Sequence, residues 1–209
     1  WGKTMITILF GSELSASGNK GRGLYYDDMR VAPTWREYRY DKLPFMNNVS
    51  FFFEDKFSMP VGRYSSLHMR AGVRSDITMI KDSEYGTMVN LSPRINVKYN
   101  LWTNKKHAVS DISLLAGWGK SVKQPSFSVL YPAPTYSDKL AFAPGTTPDG
   151  KTIYAYYTQP TTPKYNPELK CQYTLQNELG LEATILGTRI SLTAFRNKTF
   201  NPYMSRNIY

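Results

Sequence analysis

Apolar and polar residues alternate along much of the chain. Between residues 65 and 76, Leu67, Met69, Ala71 and Val73 share one phase, and His68, Arg70, Gly72, Arg74 and Asp76 share the other. Successive side chains of a strand point to opposite faces, so strict alternation over this length predicts a strand with one apolar face. Segment 92–102 repeats the pattern, with Ile95, Val97, Tyr99 and Leu101 against Arg94, Asn96, Lys98 and Asn100. Segment 171–183 sets Tyr173, Leu175, Leu179, Leu181 and Ala183 against Thr174, Gln176, Glu178, Gly180 and Glu182. Ile112, Leu114, Ala116 and Trp118 share a phase in 111–118, as do Ile190, Leu192 and Ala194 in 188–195, where Phe195 breaks the polar side. In 47–59, Val49, Phe51, Phe53, Phe57 and Met59 are in phase, but Asp55 sits among them. A carboxylate facing lipid is costly, so either Asp55 lies at a membrane edge or a bulge shifts the phase there. With a weaker strand over 3–13, the pattern predicts seven strands.

The predicted connections alternate in length. Residues 14–45 form a long one rich in Gly, Pro and Tyr, 60–64 a tight turn, 77–91 a medium loop and 103–109 a short polar turn. Residues 122–168 form a long Pro/Tyr-rich stretch, in which 152–158 add a small hairpin, and Leu186-Gly187 closes a last tight turn. Up-and-down membrane barrels have this rhythm of short turns and longer outer loops. A half-buried strand of a soluble β-sandwich also alternates, so alternation alone leaves both architectures open.

Composition agrees with an all-β chain. The 16 Tyr and 10 Phe suit pleated surfaces, and 13 Pro with 14 Gly cut the chain into short runs. No run approaches the roughly 20 apolar residues of a membrane helix, whereas a barrel strand needs about 9–11 residues with only alternate ones apolar. No charged-then-apolar leader follows Trp1, so the chain is expected to be a mature segment or an excerpt.

Lys and Arg outnumber Asp and Glu by 26 to 16, a net charge of +10, but the cations are dispersed, which speaks against nucleic acid as a partner. A positive excess facing a lumen would favour an anionic ligand. Cys171 is the single cysteine and reads as a packing residue. His68 and His107 are the only histidines, no Cys/His spacing suggests zinc, and nothing supports a Ser-His-Asp geometry. The expectation is therefore no enzyme, no metal and no cofactor.

Several segments, in one order, carry a family resemblance. Asn166-Pro-Glu-Leu-Lys170, followed by Glu178-Leu-Gly-Leu-Glu182, resembles the barrel signature of TonB-dependent receptors, which run Asn-Pro-Asp-Leu-Lys-Pro-Glu and then Glu-x-Gly-x-Glu. The interval is preserved, with Cys171 and Gln172 where Pro and Glu are usual. Phe53-Glu-Asp-Lys56, Ala71-Gly-Val-Arg74, Leu91-Ser-Pro-Arg94, Gly119-Lys-Ser-Val-Lys-Gln-Pro-Ser126 with Leu130-Tyr-Pro132, and Thr193-Ala-Phe-Arg-Asn197 each resemble successive segments of the same family. The long Pro-rich loops look most like receptors of the Bacteroidetes.

The resemblance implies a segment of an up-and-down antiparallel transmembrane β-barrel in the bacterial outer membrane, about seven strands of a 22-stranded wall. Residues 1–209 would be a partial barrel domain, without the plug domain that fills such a lumen. It implies an outer-membrane receptor that binds a scarce ligand (siderophore, haem, cobalamin, oligosaccharide or peptide) and imports it with energy supplied by TonB through the plug. Other implied partners are outer-membrane lipids and, for the Bacteroidetes type, a surface lipoprotein acting as a lid. A passive porin or structural barrel, and a soluble β-sandwich binding module, are the alternatives.

Recognition belongs on loops. Tyr131, Tyr136, Tyr154, Tyr156 and Tyr157 are therefore candidate ligand-facing residues, with Tyr165 in the same stretch; each ring could equally pack the loop on itself or join an aromatic girdle. Candidate lumen-facing residues are His68, Arg70, Arg74, Arg94, Lys98 and Glu178. In-strand glycines at 72, 117, 119 and 180 mark either close approach of another backbone or wall curvature.

Overall fold

The structure, a computed structural model, describes residues 3–18, 20, 26, 28–36, 41, 43–81, 83–161 and 166–204. Tyr165 lies outside them. Nine strands are present among these residues: β1 (Met5–Ser17), β2 (Met46–Pro60), β3 (Ser66–Ile80), β4 (Gly86–Thr103), β5 (Val109–Lys123), β6 (Thr135–Thr146), β7 (Thr152–Thr161), β8 (Gln172–Ile185) and β9 (Thr188–Phe200). One four-residue helix, α1 (Phe127–Leu130), follows β5. Seven strands form one antiparallel sheet in the order β1-β2-β3-β4-β5-β8-β9, and β6 and β7 form a separate hairpin. The seven segments predicted from alternation are the seven strands of the sheet.

Cross-strand register sorts the side chains into two faces. Ile8, Asp55, Ala71, Ile95, Trp118, Asn177 and Arg196 lie in one row of the apolar face. Thr7, Lys56, Arg70, Asn96, Gly117, Glu178 and Phe195 form a neighbouring row of the other. Phe195, the residue that broke the pattern, thus stands on the polar face. Burial is the reverse of a soluble sheet. Phe10 is 77% exposed and Leu192 72%, while Ser50, Thr78 and Ser113 on the polar face are completely covered. Polar side chains crowd one another, as on the inside of a curved wall, and no second sheet covers the apolar side among the described residues. A soluble sandwich would bury that side instead.

The apolar band runs obliquely. On β1 to β4 it continues up to the row of Leu14, Val49, Ile77 and Val89; on β8 and β9 it ends at the row of Leu179 and Ala194, about eight residues lower along the strands. The drop falls between β4 and β8; taken from β1 to β9, eight residues (about 26 Å of strand) over six strand steps (about 29 Å) give a mean slope of about 40°. Barrel strands tilt by this much, so a level band cuts across them. With that tilt Asp55, six residues from Val49, lies about 15 Å below the upper edge of a band about 25 Å tall, on the side of the short turns, and an outward charge costs less toward that edge. No bulge is involved, because β2 keeps unbroken register with both neighbours. One Asp55 carboxylate oxygen is nevertheless buried without a hydrogen-bond partner.

Two expectations about connections are corrected. The 77–91 loop shrinks to residues 81–85, because β3 runs on to Ile80 and β4 starts at Gly86, with Ile77, Met79, Val89 and Leu91 on the apolar face and Asp76, Thr78, Asn90 and Ser92 on the polar one. Long and short connections therefore do not alternate strictly: 18–45 and 124–171 are long, the rest short. The 152–158 hairpin exists as β7 with β6, whose register shifts at Leu140/Phe142 and Phe142/Gly145 hid it from a period-2 search.

Candidate functional site

The polar wall is organised around two carboxylates. Glu54, 6% exposed, meets Arg94 Nη2 at 2.7 Å, Arg70 Nε at 3.4 Å and Lys56 Nζ at 3.6 Å. Glu182 accepts from Lys98 Nζ at 2.8 Å and pairs with Arg189 Nη2 at 2.6 Å. Above them Arg74 bridges Asp76 at 2.9 Å and Glu13 at 3.0 Å, and also donates to Ser50, whose hydroxyl donates to Asp76 at 2.6 Å. His68 lies between two hydroxyls, Nδ1 at 2.9 Å from Ser58 Oγ and Nε2 at 3.0 Å from Ser66 Oγ.

The register places all six candidate wall residues (His68, Arg70, Arg74, Arg94, Lys98 and Glu178) on this face. It does not gather them into one site. Five are spent on wall contacts. Glu178 has no ion-pair partner among the described residues and borders a groove of about 380 Å³ with Lys56, His68, Arg70, Asn96 and Lys98. Charge on the face is nearly balanced. Lys56, Arg70, Arg74, Arg94, Lys98, Lys123 and Arg189 stand against Glu13, Glu54, Asp76, Asp111, Glu178 and Glu182, and every one of those cations except Lys123 meets a carboxylate. The overall excess of positive charge is thus not concentrated here, and the wall gives no preference for an anion.

The glycines fit this packing. A Cβ on Gly117 would meet Asn96 Oδ1 at 2.8 Å, and one on Gly72 the Phe53 carbonyl oxygen at 3.2 Å. Side chains of adjacent strands lie across the gaps, so the close approach at Gly117 is made within the sheet itself.

At the long-loop end, the segment after β5 folds back against the polar face. Gln124 Nε2 donates to Asn48 Oδ1 at 2.9 Å, and Leu130, fully buried, packs with Ile80, Met46 and Met88. Tyr85 Oη donates to the Leu130 carbonyl at 2.7 Å. Cys171 accepts from Asn90 Nδ2 at 3.1 Å beside Met88, and burial pushes its thiol pKa up, as expected of a packing cysteine.

The five candidate tyrosines occupy two places. Tyr131 packs in this inward strap, edge-on to Tyr85 and against Phe127. The other four lie on the β6–β7 hairpin, which holds residues of the first long connection. Trp35 bridges to Thr135, and the Tyr136 amide donates to the Thr34 carbonyl at 2.9 Å. Arg36 forms a buried ion pair with Asp138, which also accepts from Thr158 at 2.7 Å, and its guanidinium lies 4.6 Å from the Tyr136 ring centroid. Arg30 covers Tyr154 at 5.0 Å, and Tyr154 contacts Tyr156. Side-chain and backbone N–H donors of Arg30 hold the Asp28 carboxyl below its ordinary range. Tyr157, 60% exposed on the hairpin's other face with Phe142, keeps its ring open. Trp35 and Arg36 escaped the sequence-based selection, since pairing across about a hundred residues leaves no local signal, and Phe142 escaped it because it sits where the register of β6 shifts.

One family model, described as TonB dependent receptor-like, beta-barrel, matches residues 5–208. No curated protein and no solved structure matches the chain.

Proposed function

Because the chain belongs to the TonB-dependent receptor-like β-barrel family, whose members are transporters and receptors of the outer membrane, we propose that its full-length protein imports a scarce ligand with energy passed through TonB. The observation that carries this is the family match over residues 5–208, laid on a sheet whose outward band slopes as tilted barrel strands require. The polar face then lines the lumen, and the cross-braced Glu54 and Glu182 clusters make it a stiff wall. The inward strap at 124–131 narrows the mouth, while the hairpin and residues 28–36 form an outer lobe where ligand is first met. Tyr157 is the candidate tyrosine best placed to stack on a ligand there, because its ring is open.

The test is uptake by cells carrying the full-length gene or its deletion. Each is supplied in turn with ferric siderophore, haem, cobalamin, oligosaccharide or peptide as the limiting nutrient. Gene-dependent uptake that vanishes when TonB is inactivated is the expected result. Uptake that persists without TonB would make the protein a passive porin and refute the proposal.

A further inference from the structure

The unpaired cations of the sheet are not scattered. On the polar face only Lys123 lacks a carboxylate, and on the apolar face the cations are Lys120, Arg196 and Lys198. All four stand at the long-loop end of β5 and β9. Two rows of the outward face contain the last three, Trp118–Asn177–Arg196 and then Lys120–Leu175–Lys198, and the row above them is Val122–Tyr173–Phe200. Tyr173 and Phe200 stack, with centroids 4.8 Å apart and planes at 13°. Lys120 Nζ lies 4.8 Å from the Tyr173 centroid and Lys198 Nζ 5.0 Å from that of Phe200. None of the three cations has a carboxylate within ion-pair distance among the described residues.

An unpaired cation facing lipid is costly at mid-bilayer and nearly free at the interface, so these rows mark where the apolar band meets the headgroups. The lysine stems can lie along apolar surface while the ammonium groups reach the polar layer. The two lysines stand two strand spacings apart, about 10 Å, with Arg196 one row below. The rings fix the ammonium positions without using up their N–H donors. No anion among the described residues neutralises the group. We propose that this patch binds the phosphate-bearing headgroup of an anionic lipid in the leaflet on the long-loop side. It rests on the membrane placement of the outward face given under the proposed function.

The test uses the full-length protein in detergent, with lipid A, phosphatidylcholine and inorganic phosphate as separate probes, read by native mass spectrometry and by titration. Lipid A is expected to be retained in preference to phosphatidylcholine, with inorganic phosphate a poor competitor. Each of K120Q, R196Q and K198Q is expected to weaken lipid A about fivefold, and the triple variant about a hundredfold. The K120R/K198R variant keeps the charge and should keep the binding. K123Q, three residues beyond Lys120 on β5 and on the polar face, should leave it unchanged. Heat-modifiable gel mobility checks that each variant is a folded barrel. A triple variant that binds like the parent would overturn the proposal, as would inorganic phosphate competing as strongly as the lipid, or K123Q reproducing the loss. A full-length protein that stays in aqueous buffer without detergent would instead overturn the membrane reading beneath it.

Discussion

Glu54 gives the sharpest test of how the wall is held. It is shared by three cations, and Glu54→Gln removes its charge while keeping its shape. The Arg94 contact at 2.7 Å is a charge-assisted hydrogen bond, worth about 1.5–3 kcal/mol when fully shielded. Arg94 is 61% exposed, however, and Lys56 and Arg70 are about half exposed at longer range. Exposed pairs contribute about 0–1 kcal/mol each. The sum, discounted for solvent, is a loss of about 2 kcal/mol, roughly thirtyfold in the folding equilibrium. Urea unfolding of the full-length barrel in detergent, followed by tryptophan fluorescence, measures it. A double-mutant cycle with Arg94→Gln should return a coupling of about 1 kcal/mol, shrinking as salt rises. Additive single effects, or a Glu54→Gln protein as stable as its parent, would show that the cations do not depend on this carboxylate.

Further outcomes follow from the same contacts. Arg36→Ala or Asp138→Ala leaves a buried charge without its partner, a cost of about 3–5 kcal/mol borne locally by the outer lobe. Limited proteolysis should then cut within 135–161 under conditions that leave the parent intact, and equal resistance would refute the clamp. Gly117→Ala forces the Asn96 amide aside, whereas Gly180→Ala meets only ordinary contacts from 3.4 Å; Gly117→Ala should lower stability by about 1 kcal/mol and Gly180→Ala should not, which thermal unfolding of the two barrels compares. The Asp28 pKa is depressed by Arg30, so its contribution is fully present above the ordinary aspartate value near 3.9 and is lost as pH falls through the depressed one. Hydrogen-exchange protection of residues 28–36, corrected for the intrinsic exchange rate at each pH, should be flat from pH 7 to 5 and fall only below the ordinary value, and a fall near pH 6 would contradict this.

What could be read from the sequence depended on the physical origin of each signal. Within the apolar band one face meets lipid and the other water, so period 2 is imposed and residues such as Leu67 to Val73 declare their phase. In the upper parts of β3 and β4 the imprint is interrupted, by Ser75 on the apolar face and by Ile80 and Met88 on the polar one. That is why their connection was read as three times its true length. The hairpin was half visible for a related reason: Tyr154 and Tyr156 alternate, but the irregular register of β6 erases its own pattern. The contacts that set the candidate site apart, Arg36 with Asp138 and Gln124 with Asn48, join distant parts of the chain. Only the fold brings them together, with Tyr131 edge-on to Tyr85 and Tyr136 beneath the Arg36 guanidinium.

Alternation and charge also carry information together that neither carries alone. Alternation assigns a residue to a face but gives no height, so Asp55 reads only as an error in an apolar run, and Arg196, just past the run that ends at Ala194, is not singled out at all. Register places them in the same row, five strand steps apart. In an upright wall that row would sit at a single depth, and both charges would be equally costly. With a slope of about 40°, five steps of about 4.8 Å separate their heights by roughly 15 Å. The carboxylate then falls toward the short-turn margin and the guanidinium reaches the long-loop margin, each near a polar layer. The tilt is thus what makes both outward charges tolerable.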